Sequence, residues 1–103
     1  MTDPQPVFAA LADPTRRAVF ERLSARGPAS ASSLARELPV SRQAIAKHLA
    51  VLDEAGLVER RSAGRAVEYR ASPGALGEVA SWMERVGGEW DDRLTALREA
   101  VED

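Results

Sequence analysis

The sequence predicts a mainly α-helical fold of about five helices with one small β-hairpin. Apolar side chains recur every three or four positions along most of the chain, which is the period of an amphipathic helix. Residues 57–61 and 66–70 alternate instead, on either side of a glycine, as the two strands of a hairpin do. The hairpin therefore lies between four short helices and one long terminal helix.

The first two helices are separated by a capping signal. Val7 to Ala12 form a short apolar helix, and Asp13 followed by Pro14 is typical of a helix cap and a first-turn proline. The second helix ends near Gly27. Its apolar face is formed by Val19, Phe20 and Leu23.

The third and fourth helices have the spacing of a helix–turn–helix. Ser30 can cap the third helix, and Pro39 stops it. Ser41 can cap the fourth helix, which runs from about 42 to 55 and ends at Gly56, a usual left-handed closing residue. With the hairpin that follows, this arrangement predicts a winged helix–turn–helix whose fourth helix enters a DNA major groove.

The fourth helix has two chemically different faces. At about 100° per residue, one arc collects the large side chains and must face the core: Ile45, His48, Leu49 and Leu52. The opposite arc is small, polar or basic: Arg42, Gln43, Ala46, Lys47 and Ala50. We expect His48 to be a packed side chain, because one imidazole cannot form a zinc site.

The second arc suits the edges of DNA bases. Arg42 can bond guanine and Gln43 can bond adenine through paired hydrogen bonds, and the Ala46 methyl can touch a thymine methyl. Lys47 suits a phosphate, and Ser41 can both cap the helix and bond one. The alternative is an ordinary amphipathic surface helix whose charged face is solvated.

The hairpin supplies a second candidate contact. Its tip at residues 61–65 is short and basic, as expected of a wing that lies over a phosphate backbone or dips into a minor groove. Arg60 and Arg61 point to opposite sides of a strand, so only one of them is expected to face DNA. Arg61 and Arg65 are assigned to this contact. The alternative is a polar hairpin with solubilising arginines.

Length and composition limit the class of protein. A chain of 103 residues forms one domain, in which we expect residues 1–72 to hold the DNA-binding core and wing and 73–103 a dimerisation helix. The absence of cysteine excludes disulfides, thiolate metal sites and thiol redox switches. The sequence has neither a signal-peptide pattern nor the apolar run of about 20 residues that spans a bilayer. A cytoplasmic location is therefore expected.

The net charge of −2 is unevenly distributed. Residues 41–70 carry six basic side chains against four acidic ones, whereas residues 71–103 carry three basic side chains against eight acidic ones. The helix–turn–helix and hairpin therefore keep a basic surface, and the weak charge of the whole chain does not exclude DNA as a partner.

The last helix carries a continuous apolar stripe. A helix of about 30 residues is about 45 Å long, more than the rest of the chain can cover. We therefore expect a homodimer, whose two-fold symmetry also matches an inverted-repeat operator. The expected interface comprises Val79, Trp82, Met83, Val86, Trp90, Leu94 and Leu97. In the alternative, the helix folds back on its own domain. Gly87-Gly88 either kink the helix, which would favour that alternative, or let two backbones come close.

No residue is a candidate for catalysis. The chain lacks a glycine-rich phosphate loop and a cysteine nucleophile, and its one histidine lies on the core arc. The neighbouring acids Asp91 and Asp92 fit a solvated helix face better than a pair of catalytic carboxylates. We therefore expect neither an enzyme nor a cofactor.

Two segments carry a family resemblance. LADPTRRAVFERL and LARELPVSRQAIAKHLAVLDEAGLVERRSAGRAVEYR resemble the ArsR/SmtB family of bacterial winged-helix repressors, over about residues 7–70. The resemblance implies a dimer on an inverted-repeat operator, with the fourth helix in the major groove, the hairpin as wing, and repression by occluding a promoter, often that of its own gene. The tail, with Trp82 and Trp90, is similar to a subgroup without metal sites.

The departures from the family pattern concern metals. Metal-sensing members carry paired cysteines at the start of the third helix, where this chain has Ser30 and Ser32. A serine hydroxyl is a poor ligand for such metals. Other members bind zinc with histidines and carboxylates on the last helix, and this tail has no histidine. Metal sensing is therefore not expected.

Three hypotheses of function follow. The first is a homodimeric repressor that binds double-stranded operator DNA. A variant is the same repressor released by a small organic ligand near Trp82, Met83 and Trp90, although those side chains fit a dimer core better. The third is a winged-helix protein-interaction module without DNA binding. The basic residues Arg42, Lys47, Arg61 and Arg65 argue against that module.

Overall fold

The computed structural model describes residues 3–72 and 74–102, except for the side chains of Trp90, Leu97, Val101 and Glu102. Within these residues the chain forms five helices and three strands, so the mainly helical fold with a small β-sheet is confirmed. The helices are α1 (Gln5–Ala12), α2 (Pro14–Arg26), α3 (Ala31–Glu37), α4 (Arg42–Glu54) and α5 (Gly74–Glu102). The strands are β1 (Ala29–Ser30), β2 (Val58–Ala63) and β3 (Ala66–Ala71). The predicted start of the last helix, Pro73, lies outside the described residues.

Three side-chain caps fix where the helices begin. The Asp13 carboxylate accepts a hydrogen bond from the backbone N–H of Arg16 at 3.0 Å, and Pro14 occupies the first turn of α2. Ser30 and Ser41 cap α3 and α4 in the same way, with bonds of 3.1 and 3.2 Å. All three predicted caps are confirmed, because each supplies an acceptor to an N–H group that the helix leaves unpaired.

One hydrophobic core joins every helix. Its buried residues come from α1, α2, α3, α4, the sheet and the beginning of α5: Val7, Ala10, Val19, Phe20, Leu23, Ala29, Leu34, Ile45, Leu49, Leu52, Leu57, Val58 and Val79. The predicted apolar faces of α2 and α4 are confirmed. His48, placed on the same arc, is only half-buried.

The cap of α2 also affects the acidity of Asp13. The pKa of the Asp13 carboxyl is lowered, chiefly because it accepts the hydrogen bond from the backbone N–H of Arg16, and the nearby His48 lowers it as well.

The sheet has three antiparallel strands in the order β1-β3-β2, so the expectation of a two-stranded hairpin alone was incomplete. Ala29 and Ser30 pair with Tyr69 and Glu68. A two-residue strand is too short to show an alternating pattern, so periodicity does not predict it. Its pairing joins the base of the hairpin to the beginning of α3.

Two glycines with positive φ shape the second half of the domain. Gly56, at φ 77°, follows the end of α4, where its N–H donates to Asp53 at 3.0 Å and the N–H of Leu57 donates to Leu52 at 2.9 Å. This pair of bonds is the Schellman motif that closes a helix. Gly64, at φ 65°, lies in the two-residue turn between β2 and β3.

Helix α5 extends well beyond the hydrophobic core that the other elements form. Val79 is buried in the core, and the Trp82 ring meets the Phe8 ring edge-on, with centroids 5.5 Å apart and planes at 67°. From Gly87 to Ala100 every described side chain is exposed. The Cα radius of gyration is 18.4 Å, against about 13 Å for a compact chain of this length. In the described part of the chain, no helix is both long and apolar enough to cross a membrane.

Candidate nucleic-acid interface

The face of α4 that the sequence predicts for DNA is open to solvent. Arg42, Gln43, Ala46, Lys47 and Ala50 are all exposed. Behind them, the opposite face of the same helix is anchored by leucine and isoleucine side chains with no exposed area. The helix is thus fixed from one side, and its other side is available to a partner.

A groove of about 820 Å³ runs between α4, the start of α3 and the hairpin. The first turns of α4, the arginines of the hairpin, and Tyr69 and Val67 of β3 all line it. The lining residues are Ser30, Ala31, Ser32, Arg42, Gln43, Ala46, Arg60, Arg65, Ala66, Val67 and Tyr69.

The two faces of the hairpin carry different arginines. Arg60 lies directly opposite Tyr69 in the strand register and shares the groove with it. Arg61 lies opposite Glu68, on the other face of β2. The groove thus holds Arg60 and Arg65, which differs from the sequence-based choice of Arg61 and Arg65.

The position of Arg60 could have been read from the sequence. Val58 is buried with 2% exposure, and a side chain two positions further along a strand lies on the same face. The apolar residue at 58 therefore points to Arg60 as the arginine on the side of α4.

The electrostatics of the two faces also differ. The groove is lined by three arginines and no acidic residue. On the outer face of the hairpin, Glu59 and Glu68 accompany Arg61 and Arg70, and the Arg70 guanidinium lies 2.7 Å from the Glu59 carboxylate. Positive charge is therefore concentrated on the groove face, and the outer face is balanced.

The groove arginines have no partners within the described part of the chain. Arg42, Arg60 and Arg65 form neither a hydrogen bond nor an ion pair there, in contrast to Arg22 and Arg70. A guanidinium with five unused donors is suited to phosphate oxygens and to the acceptor edge of guanine. The arrangement can therefore bind a polymer that presents both phosphate oxygens and the acceptor groups of bases.

The residues expected at a dimer interface differ in exposure. Val79 is already covered by its own chain, at 6% exposure, and so leaves little surface for a partner. Trp82 and Val86 are half-buried. Met83 and Leu94 are 53% and 52% exposed. The side chains of Trp90 and Leu97 lie outside the described residues.

The described residues contain no group of three or more histidine, cysteine, aspartate or glutamate side chains placed to hold a metal ion. At the start of α3, the hydroxyl oxygen of Ser30 accepts the hydrogen bond that caps the helix, and Ser32 is exposed. Both serines line the groove.

Comparison with known proteins agrees with this geometry. A family profile described as "Helix-turn-helix domain" matches residues 11–61. An HTH-type transcriptional regulator of Mycobacterium tuberculosis is 41% identical over 99 residues, which cover 96% of this chain and 89% of that protein. The arsenical resistance operon repressor of Escherichia coli is 35% identical over 83 residues, covering 81% of this chain and 68% of that protein.

A solved structure extends the similarity to the whole fold. An ArsR-like transcriptional regulator from Rhodococcus sp. RHA1 superposes with a TM-score of 0.87 and is 51% identical, covering 93% of this chain and 90% of that chain. Helix–turn–helix, wing and long final helix are thus matched together and not only the segment of the family profile. The chain belongs to the ArsR family of winged helix–turn–helix transcriptional regulators.

Proposed function

We propose that the protein is a homodimeric transcriptional repressor that binds an inverted-repeat DNA operator and does not sense metals. The observation that carries the proposal is the open groove lined by Arg42, Arg60 and Arg65, with no acidic side chain in it. A surface of this kind matches the charge of DNA and suits no neutral or cationic partner.

Helix α4 is proposed to enter the major groove with its first turn foremost. Arg42 and Gln43 stand there exposed and present the donors and acceptors that read guanine and adenine. Ala46, one turn further on, leaves room for a close approach of the backbone to a thymine methyl. These three residues are proposed to contact bases.

Ser41 and Lys47 are proposed to contact phosphates. The Ser41 oxygen already accepts the N–H of Ala44, which leaves its O–H free to donate to a phosphate oxygen. Lys47 is exposed on the same side of α4 and adds a point charge. Contacts of this type fix the position of the helix on DNA without reading its sequence.

Dimerisation is assigned to residues 73–103. Beyond Val79, α5 carries exposed apolar side chains along one side, including Met83 and Leu94. A projecting helix with such a stripe gains free energy when the stripe is buried against a second copy. A two-fold axis would then place the two copies of α4 on half-sites about 34–36 Å apart, or a multiple of that distance.

Repression and independence from metals rest on different observations. The Escherichia coli relative is named an operon repressor, which supports repression as the direction of regulation. Independence from metals is supported by serine at positions 30 and 32, because a hydroxyl binds soft and borderline metal ions poorly.

Fluorescence anisotropy tests the proposal directly. The full chain is titrated against labelled duplex DNA from immediately upstream of its own gene and against an unrelated duplex, both over a salt series. We expect saturable binding that prefers the upstream DNA and weakens steeply with salt, as phosphate contacts require. Addition of zinc or arsenite should leave the affinity unchanged.

The other outcomes separate the competing functions. Equal, weak binding to both duplexes would place the operator elsewhere and remove autoregulation from the proposal. Failure to bind either duplex at low salt would favour a protein-interaction module. Release of the upstream DNA by zinc or arsenite would contradict the metal-independent part alone.

A further inference from the structure

We infer that Arg60, and not Arg61, is the strand residue of the wing that binds DNA, and that it holds the phosphate backbone of the strand whose bases face α4. The inference rests on the proposed DNA binding and names the contact that the hairpin makes. Arg65 at the turn extends the same contact, whereas Arg61 takes no part in it.

The first support is the position of Arg60 in the sheet. Val58, two residues earlier on the same face, is buried in the core, and Tyr69, opposite Arg60 in the register, packs against that core. The base of the Arg60 side chain is thus held by a rigid part of the domain. A guanidinium on a fixed support loses less conformational freedom on binding than one at a flexible tip.

The second support is the charge surrounding each arginine. Arg60 shares a groove with two further arginines and no acid. Arg61 is in register with Glu68, and Glu59 and Arg70 pair beside it. The attraction of a phosphate to Arg61 is therefore opposed by carboxylates on its own face, whereas the groove that Arg60 lines contains no carboxylate.

The third support is the shape of the groove. Its volume of about 820 Å³ lies between the first turn of α4 and the hairpin, and it is lined by Arg42 from the helix and Arg60 from the hairpin. A DNA strand in this space would turn its base edges toward Arg42 and its phosphates toward Arg60. The two arginines therefore have different tasks on one strand.

The test compares neighbouring residues of identical chemistry. Arg60→Ala and Arg61→Ala are prepared in the full chain, together with Arg60→Lys, and are titrated against a mixed-sequence duplex at several low salt concentrations. No operator is needed, because phosphate contacts are independent of sequence. Thermal unfolding of each variant checks that the fold is intact, as expected for exposed side chains.

We expect Arg60→Ala to weaken binding about tenfold and to reduce the slope of log affinity against log salt by about one unit per bound chain. Arg61→Ala should leave both quantities close to those of the unaltered protein, and Arg60→Lys should keep the slope. Equal losses in the two alanine variants, or a larger loss for Arg61→Ala, would overturn the inference and leave DNA binding intact. Absence of binding by the unaltered protein would instead overturn the DNA-binding proposal and this inference with it.

Discussion

Arg22 of α2 and Glu37 at the end of α3 form a two-pronged ion pair. The Arg22 Nη2 atom lies 3.1 Å from one Glu37 oxygen, and Nε donates to the other. The remaining nitrogen of Arg22 donates to the carbonyl of Gly27 at 3.0 Å. One guanidinium thus connects α2, the loop that follows it and α3, the helix that precedes α4.

Replacement of Glu37 by glutamine should lower the midpoint of thermal unfolding at neutral pH. The hydrogen bond from Arg22 lowers the pKa of Glu37 below its ordinary value of 4.5. A lowered pKa means that the ion pair stabilises the folded state above the ordinary pKa and loses that effect as the pH falls through the lowered one. The difference between Glu37→Gln and the unaltered protein should therefore shrink below pH 4.5.

Glu21→Gln is the matched control for this comparison. Glu21 is exposed on α2, next to Arg22, and is outside the ion pair. We expect its midpoint to stay close to that of the unaltered protein over the same pH range. If both variants lost stability equally, a general effect of charge on the fold would explain the loss.

Substitution of Gly56 by alanine should destabilise the domain by about 1–2 kcal/mol, the usual cost of a left-handed conformation for an L-residue. Its φ of 77° is what allows the two closing hydrogen bonds of α4. The space around it is not limiting, because an added Cβ would meet only the Cβ of Ala75, at 3.9 Å. Chemical denaturation measures the change.

Gly77→Ala provides the contrast. Gly77 lies in α5, has an ordinary helical φ, and an added Cβ there meets nothing within 4 Å. Alanine at such a site should be neutral or should stabilise the helix by up to about 1 kcal/mol. If both substitutions had the same sign, conformational strain at Gly56 would not be the cause.

Local signals in the sequence predicted most of the fold. Asp13, Ser30 and Ser41 cap their helices as expected, because a cap needs only a short polar side chain and the N–H group three residues later. The core face of α4 follows equally from its period. The beginning of α1 is less well defined by pattern, and the helix starts at Gln5, two residues earlier than predicted.

The features that were not predicted from the sequence depend on contacts between residues that are far apart in the chain. The pairing of β1 with β3 joins residues about 40 positions apart in the chain, and Arg22 and Glu37 are brought together only by the packing of two helices. The choice between Arg60 and Arg61 depended on which face of β2 meets the core. The apolar Val58 marks that face, so Arg60, two positions further along β2, could have been assigned from the sequence.

Lys47→Ala and Arg42→Ala should have different effects on operator binding. Loss of the Lys47 side chain should weaken binding to all DNA sequences alike, since a phosphate contact is independent of sequence. It should also reduce the slope of log affinity against log salt by about one unit.

Loss of the Arg42 side chain should reduce the free energy of operator binding by about 1–3 kcal/mol, and the loss should depend on one base pair of the operator. Anisotropy titrations against single-substituted operators measure both effects. A change of base preference in the Lys47 variant, or a uniform loss in the Arg42 variant, would contradict the assigned roles.

Leu94→Glu should convert the proposed homodimer to a monomer without unfolding the domain. Leu94 is 52% exposed on the projecting part of α5, so a charge at this position does not disturb the core of its own chain. In the proposed interface, however, the glutamate carboxylate would be buried without a partner, which is unfavourable. Thr95→Glu adds the same charge one position away, about 100° around the helix, and should remain dimeric. Light scattering gives the mass of each variant, and circular dichroism confirms the fold. A Leu94 variant that stayed dimeric would move the interface away from this stripe. A monomer with undiminished operator affinity would instead show that DNA binding does not need two copies.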